Sequence, residues 1–220
     1  MARRPLLSSS DVVPIPRHYW GLVKDAVPPM HAAGRPFVAG ALTFGLFGWR
    51  HGWARRTSLV AAGALALCFR EPKRVAPSLV GAVVAPADGV VVGVDEAIPP
   101  EEFGLGVAPL PRVSIKVSVL DPYVHRAPVA GRVAVAAADG SAVMIEAPDD
   151  MTVGLVQTAA TLAGRITCDV ELGQDLALGE TYALVRFGSR VDVYLPAGTE
   201  IRPVRGQRTV GGETVLALIG

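Results

Sequence analysis

The chain has 220 residues, half of them hydrophobic, with a mean hydropathy of +0.39 and a formal net charge of +1, which bounds it to one sizeable domain plus an appendage. The near-neutral total conceals two regions of opposite sign: residues 1–84 carry 11 Lys and Arg against 3 Asp and Glu (+8), whereas residues 85–220 carry 10 against 17 (−7). The front-half cations are interleaved with Phe, Leu, Ala and Val, which suits an anionic membrane surface, where each is worth about 1 kcal/mol, and argues against nucleic acid as a partner.

In chain order, residues 1–35 read as a lead-in with a short helix near Tyr19–Val27 ended by Pro28-Pro29. Ser8 to Pro16 is polar and proline-bearing, so no cleavable signal is expected. Two apolar runs follow, Pro36 to Trp49 and Thr57 to Phe69, joined by the cationic connector 50–56 with its indole, Trp53. Each run is shorter than the ~20 residues that span a bilayer. Residues 36–75 are therefore expected to form a helical hairpin that dips into one leaflet as a membrane anchor at the cytoplasmic face of the cell membrane. The alternative is a soluble pair of helices packed on the main domain. Cys68 and Cys168 lack any C-x-x-C pattern and suit a reducing compartment. His18, His31, His51 and His125 show no ligand spacing, and no metal is expected.

From Val80 the texture changes to short Val-rich runs broken by Gly, Pro and Asp, which predicts a mainly β domain over 80–220. Two internal similarities sharpen this. Ala85-Pro86-Ala87-Asp88-Gly89 is echoed by Ala127-Pro128-Val129-Ala130-Gly131, and Gly173-Gln174 … Gly179-Glu180-Thr181 recurs 33 residues later as Gly206-Gln207 … Gly212-Glu213-Thr214. Such repeats predict a small antiparallel sandwich or barrel of quasi-repeated hairpins, resembling lipoyl and biotinyl carrier domains. Those carriers need a lysine on an exposed hairpin; Lys24, Lys73 and Lys116 all lie outside the repeat turns, so carrier function is not expected.

Near the end stands Arg186-Phe187-Gly188-Ser189-Arg190-Val191-Asp192. A serine hydroxyl can attack the preceding carbonyl, and glycine has no side chain to obstruct it. If the resulting ester eliminates, the serine becomes dehydroalanine and then a pyruvoyl ketone, an electrophile that no standard side chain supplies. A bare Gly-Ser pair is usually a turn. Its company here is specific: Phe69-Arg70-Glu71-Pro72-Lys73-Arg74, Ala85-Pro86-Ala87-Asp88-Gly89 and Arg126-Ala127-Pro128-Val129-Ala130-Gly131 precede it in that order.

Together the four segments resemble phosphatidylserine decarboxylases of the short bacterial and archaeal type, from about residue 35 onward. The resemblance implies autocatalytic cleavage into a β chain, 1–188, and an α chain, 189–220, that stay associated. It further implies a covalent pyruvoyl cofactor from Ser189 and conversion of phosphatidylserine to phosphatidylethanolamine with loss of CO2. Alternatives are a relative acting on another amino-acid headgroup and a non-cleaving membrane-bound binding or scaffold module. Gly188 would supply the scissile carbonyl, and Asp88 matches the family's motif aspartate as orienter of a base. Relatives carry a histidine where Tyr123 stands in Asp121-Pro122-Tyr123-Val124-His125-Arg126; two positions on, His125 shares a strand face with that position and is expected to be the base. Tyr123 could supply a proton or pack. Between Gly131 and Val156 the chain is shorter than relatives, and Ala137 to Ser141 should form a tight hairpin. The oligomeric state, including a homo-oligomer, is left open.

Overall fold

The computed structural model describes residues 29–47, 51–148, 151–159, 165–186 and 188–220. Most of the expected lead-in, with its helix near Tyr19–Val27, lies outside the described residues. After a short 3-10 turn (Ala32–Gly34) come helices α1 (Arg35–Phe47) and α2 (Gly52–Cys68). The expected connector at 50–56 is thus largely helical, because Ala and Arg in Trp53-Ala54-Arg55-Arg56 are strong helix formers. The two helices meet through small residues. A Cβ on Gly45 would lie 2.4 Å from Ser58 Oγ, and Ser58 donates to the Ala41 carbonyl, while Ala54 and Ala62 are buried. Among the described residues no helix is long and apolar enough to cross a membrane.

Phe69, fully buried, pins this hairpin to the rest of the chain. It stacks on Phe37 at 5.3 Å and meets Tyr123 edge-on at 5.4 Å, and its carbonyl accepts from His31 N–H at 2.9 Å. Beyond it, residues 71–79 run as an irregular strap into the strands, of which there are thirteen among the described residues. These are β1 (Ala82–Val84), β2 (Gly89–Ala97), β3 (Leu110–Val117), β4 (Val124–Arg126), β5 (Gly131–Ala136), β6 (Ala142–Glu146) and β7 (Thr152–Ala159), then β8 (Ile166–Cys168), β9 (Asp175–Leu176), β10 (Thr181–Val185), β11 (Ser189–Tyr194), β12 (Arg208–Thr209) and β13 (Val215–Leu218). All strand pairings among the described residues are antiparallel. An eight-stranded sheet has the order β12-β2-β3-β11-β7-β6-β5-β9; β4-β10-β8 and β1-β13 form the two smaller sheets. Period-two alternation fills the core: Val191 and Val193 of β11 lie among Val113, Ile115 and Val117 of β3 and Val153 and Leu155 of β7, all buried.

The internal repeats become a pseudo-two-fold. Val84 N–H donates to the Pro128 carbonyl at 2.8 Å and Arg126 N–H donates to the Pro86 carbonyl at 2.7 Å, so the two Ala-Pro segments exchange equivalent bonds. Gly173 N–H reaches the Val133 carbonyl and Gly206 N–H the Val91 carbonyl, each at 2.8 Å. Gly179 and Gly212 meet near the axis: a Cβ on either would sit 3.7 Å from the other's Cα, and both have φ in the left-handed region, +75° and +80°. The tight hairpin expected after β5 is present, closed by Gly140 (φ +73°), whose N–H donates to the Ala137 carbonyl, and by Asp139, which accepts from Ser141.

Candidate active site

Gly188-Ser189 lies where the chain turns from β10 into β11, and Gly188 has φ +77°. A Cβ there would meet its nearest neighbours, Val117 O and Val119 Cγ2, at an ordinary 3.6 Å, so backbone conformation and not space calls for glycine. Ser189 pairs with Val117 on one side and Ala159 on the other. Alternation with Val191 and Val193 turns its side chain inward, and Ser189 Oγ is buried with no hydrogen-bond partner.

The interior beside it holds more unpartnered polar atoms: both nitrogens of His125, Gln157 Oε1 and Tyr182 Oη. Such atoms are rare in folded proteins, since each costs about 1–3 kcal/mol, and a group of them calls for a chemical explanation. His125 sits on β4 opposite Ala183, fully buried, with its ring 6.5 Å from that of Tyr182. Gln157 pairs with Val191, two positions from the Ser189–Ala159 pair on the same inner face, which makes it a diagonal neighbour of Ser189 at about 7–8 Å. Its Nε2 donates to the Gly140 carbonyl at 3.1 Å. Burial pushes the His125 imidazole down to about 4, opposed only in part by the polar Gln157 side chain nearby. His125 is therefore neutral at neutral pH, the state a general base requires. Burial likewise raises the Tyr182 phenol well above its ordinary value. Sequence reasoning missed Gln157 and Tyr182. The only signal for Gln157 is a polar residue on the inward parity of the apolar run Val153, Leu155, which means little until the register is known.

Asp88 is engaged elsewhere. One oxygen accepts from Arg74 at 2.7 Å and the other from Gly211 N–H at 2.7 Å, and the His125 ring does not donate to the carboxylate expected to orient it. The physical reason is the strap: it carries Arg74 across the β1–β2 turn, and a guanidinium outbids a neutral buried ring for a carboxylate. Glu71 accepts from Thr181, Glu213 from Val75 N–H, and Arg126 donates to the carbonyls of Gly179 and Pro72, which completes a clasp over the pseudo-two-fold. Tyr123 is buried against Phe69, and its hydroxyl donates to the Val119 carbonyl at 2.9 Å. The structure thus groups Ser189, Gln157, His125 and Tyr182 in the interior and leaves Asp88 and Tyr123 to flanking contacts. On the outer side, a cavity of about 690 Å³ opens at Gly188-Ser189, lined also by Val92, Lys116, Ser118, Val119 and Arg190.

A family model described as phosphatidylserine decarboxylase matches residues 138–217. The phosphatidylserine decarboxylase proenzyme of Mycobacterium ulcerans (strain Agy99) is 50% identical over 237 residues, covering 99% of each chain. That of Mycobacterium tuberculosis (strain ATCC 25618 / H37Rv) is 48% identical over 234 residues, again covering 99% of each. The chain belongs to the phosphatidylserine decarboxylase family. Among solved structures, glucose permease IIA from Mycoplasma capricolum is 21% identical with a TM-score of 0.42, covering 62% of this chain and 93% of that one.

Two predictions follow from this geometry within the family. If Asp88 acts through the clasp, Arg74→Met should slow self-cleavage about as much as Asp88→Asn, and both should lower stability by about 1–3 kcal/mol in denaturant titrations. A cleavage defect confined to the Asp88 variant would make it an orienter of the base. For His125, the free imidazole value of 6.5 falls to about 4 in the fold, so the unfolded chain binds more protons between these values. The resulting stabilisation is complete above about pH 6.5 and is lost as pH falls toward 4; a His125→Gln chain should lack this part of the acid dependence. Self-cleavage should hold its rate from pH 7 to 5, whereas an ordinary histidine base would become mostly protonated below 6.5. A rate that drops with a midpoint near 6.5 would exclude buried His125 as the base.

Proposed function

We propose that this chain is a proenzyme that cleaves itself between Gly188 and Ser189 and then converts phosphatidylserine to phosphatidylethanolamine and CO2. The observation that carries the reading is Ser189 Oγ, buried and unpartnered directly after a left-handed glycine, in a chain of this family. Neutral His125 takes the hydroxyl proton. The Ser189 oxygen bonds to the Gly188 carbonyl carbon, the C–N bond breaks, and the nitrogen receives the proton. Loss of the Ser189 Cα proton to a base, with cleavage of the Cβ–Oγ bond, frees the Gly188 carboxylate and leaves dehydroalanine; addition of one water and loss of ammonia then leave a ketone at residue 189.

These residues fit a pyruvoyl group: glycine leaves the carbonyl face open, and the serine that would supply its atoms is free of competing bonds. When formed, that group supplies an electron sink conjugated to the substrate amine. The chain's own contribution is a buried interior with polar atoms at His125, Gln157 and Tyr182. The fragments 1–188 and 189–220 hold together without the peptide bond, since β11 pairs with β3 and β7 along all six residues, β12 pairs with β2, and β13 with β1.

The hairpin supports a site of action at the cytoplasmic face of the cell membrane. Its small residues face inward and its large apolar ones outward, with Phe47 91%, Val60 73% and Trp53 65% exposed. Such packing is at home in lipid, where close backbone approach holds helices together and large side chains face acyl chains.

The test is release of CO2 from carboxyl-labelled phosphatidylserine in detergent. Wild type should release it, pretreatment with hydroxylamine should abolish it, and Ser189→Ala should release none. Release that survives Ser189→Ala would overturn the assignment.

A further inference from the structure

The face of the sheet opposite the buried cluster carries a cationic rung. Arg208 pairs with Val90, Val90 with Lys116 and Lys116 with Arg190, so these side chains stand in one row across β12, β2, β3 and β11. The row lies one residue from the row holding Ser189 and Val117, about 3.3 Å along the strands. Two of its cations are partly committed. Arg190 donates to Asp192 at 2.8 Å and to Ser114 at 2.9 Å, and Arg208 is paired with Asp121. Lys116 has no ion-pair partner among the described residues, is exposed, and lines the cavity that opens at Gly188-Ser189.

Resting on the decarboxylase reading above, we propose that Lys116, with Arg190 beside it, binds the phosphodiester of the lipid headgroup. A headgroup whose amine reacts at residue 189, the first residue of β11, has its phosphate only a few bonds away, and the cavity that opens at this strand end is lined by Lys116 and Arg190 on the outer face as well as by Ser189. The substrate carries a second anion, the carboxylate, but a cation placed on that group would stabilise the ground state that the reaction must leave. The phosphate keeps its charge from substrate to product, so a lysine there anchors without opposing the chemistry. An ammonium is a compact point charge that tolerates several phosphate orientations, in keeping with a ligand that also carries two acyl chains. Val92 and Val119 give the same cavity apolar walls toward the glycerol side.

The test uses the full chain and monomeric dioctanoyl phosphatidylserine, so that no bilayer contributes. Lys116→Ala should raise KM by ~10-fold or more, the scale of one charge-assisted hydrogen bond, and Lys116→Glu by more, with kcat changed far less. Calorimetry of Ser189→Ala chains with glycerophosphoserine should show the same loss of affinity in the Lys116 variants. Arg132→Ala, whose guanidinium pairs with Asp175 away from the cavity, is the charge control and should match the parent in both measurements. KM and affinity unchanged in both Lys116 variants would overturn the proposal. So would inorganic phosphate binding at Lys116 more tightly than glycerophosphoserine, since that describes a free-anion site. If the parent chain binds glycerophosphoserine through Lys116 but wild type releases no CO2, the decarboxylase reading fails and the cation site stands.

Discussion

Everything at this site depends on the crossing of two short Ala-Pro segments at the pseudo-two-fold. Proline lacks an N–H, so each segment offers its carbonyl to the other's neighbour: Val84 to Pro128 and Arg126 to Pro86. That exchange brings Gly179 and Gly212 to the axis, where a side chain on Gly212 would lie 2.9 Å from Arg126 Cδ. It also fixes the start of β2, where a Cβ on Gly89 would sit 2.5 Å from the Lys116 carbonyl. β2 sets the register of β3, and β3 that of β11, so the position of Ser189 is inherited through two strand pairings from the crossing.

The clasp above the crossing links this frame to the helical hairpin. Half-buried Arg126 is held among Glu71, Arg74, Asp88 and Glu213, and desolvation lowers its pKa from the usual guanidinium range. Arg74 and Glu71 belong to the strap that follows Phe69, so the hairpin is tied by charge at one point and by aromatic packing at another.

Much of this architecture was legible in the sequence. Val-rich runs punctuated by Gly and Pro announced strands, the repeats at 85 and 127 and at 173 and 206 announced paired halves, and the Gly-Ser pair stood at a strand start as the chemistry needs. What was not legible depends on long-range register. Asp88 looked like a partner for His125 because motif spacing carries no information about Arg74, which arrives over the turn from the strap. Gln157 is a polar residue near a strand end, and only its pairing with Val191 turns it inward beside Ser189. The helix start at Gly52 was missed because charge and an indole in residues 50–56 suggested a loop, while their backbone propensities favour helix.

The interior cluster and the family together make one claim central: Ser189 is the point at which this chain cuts itself. Intact-mass measurement of the purified wild-type protein tests that most directly. Two species are expected, residues 1–188 and a 189–220 fragment whose N-terminus is blocked, with Ser189→Ala remaining a single chain. A wild-type protein that stays full length after prolonged incubation at neutral pH would contradict it.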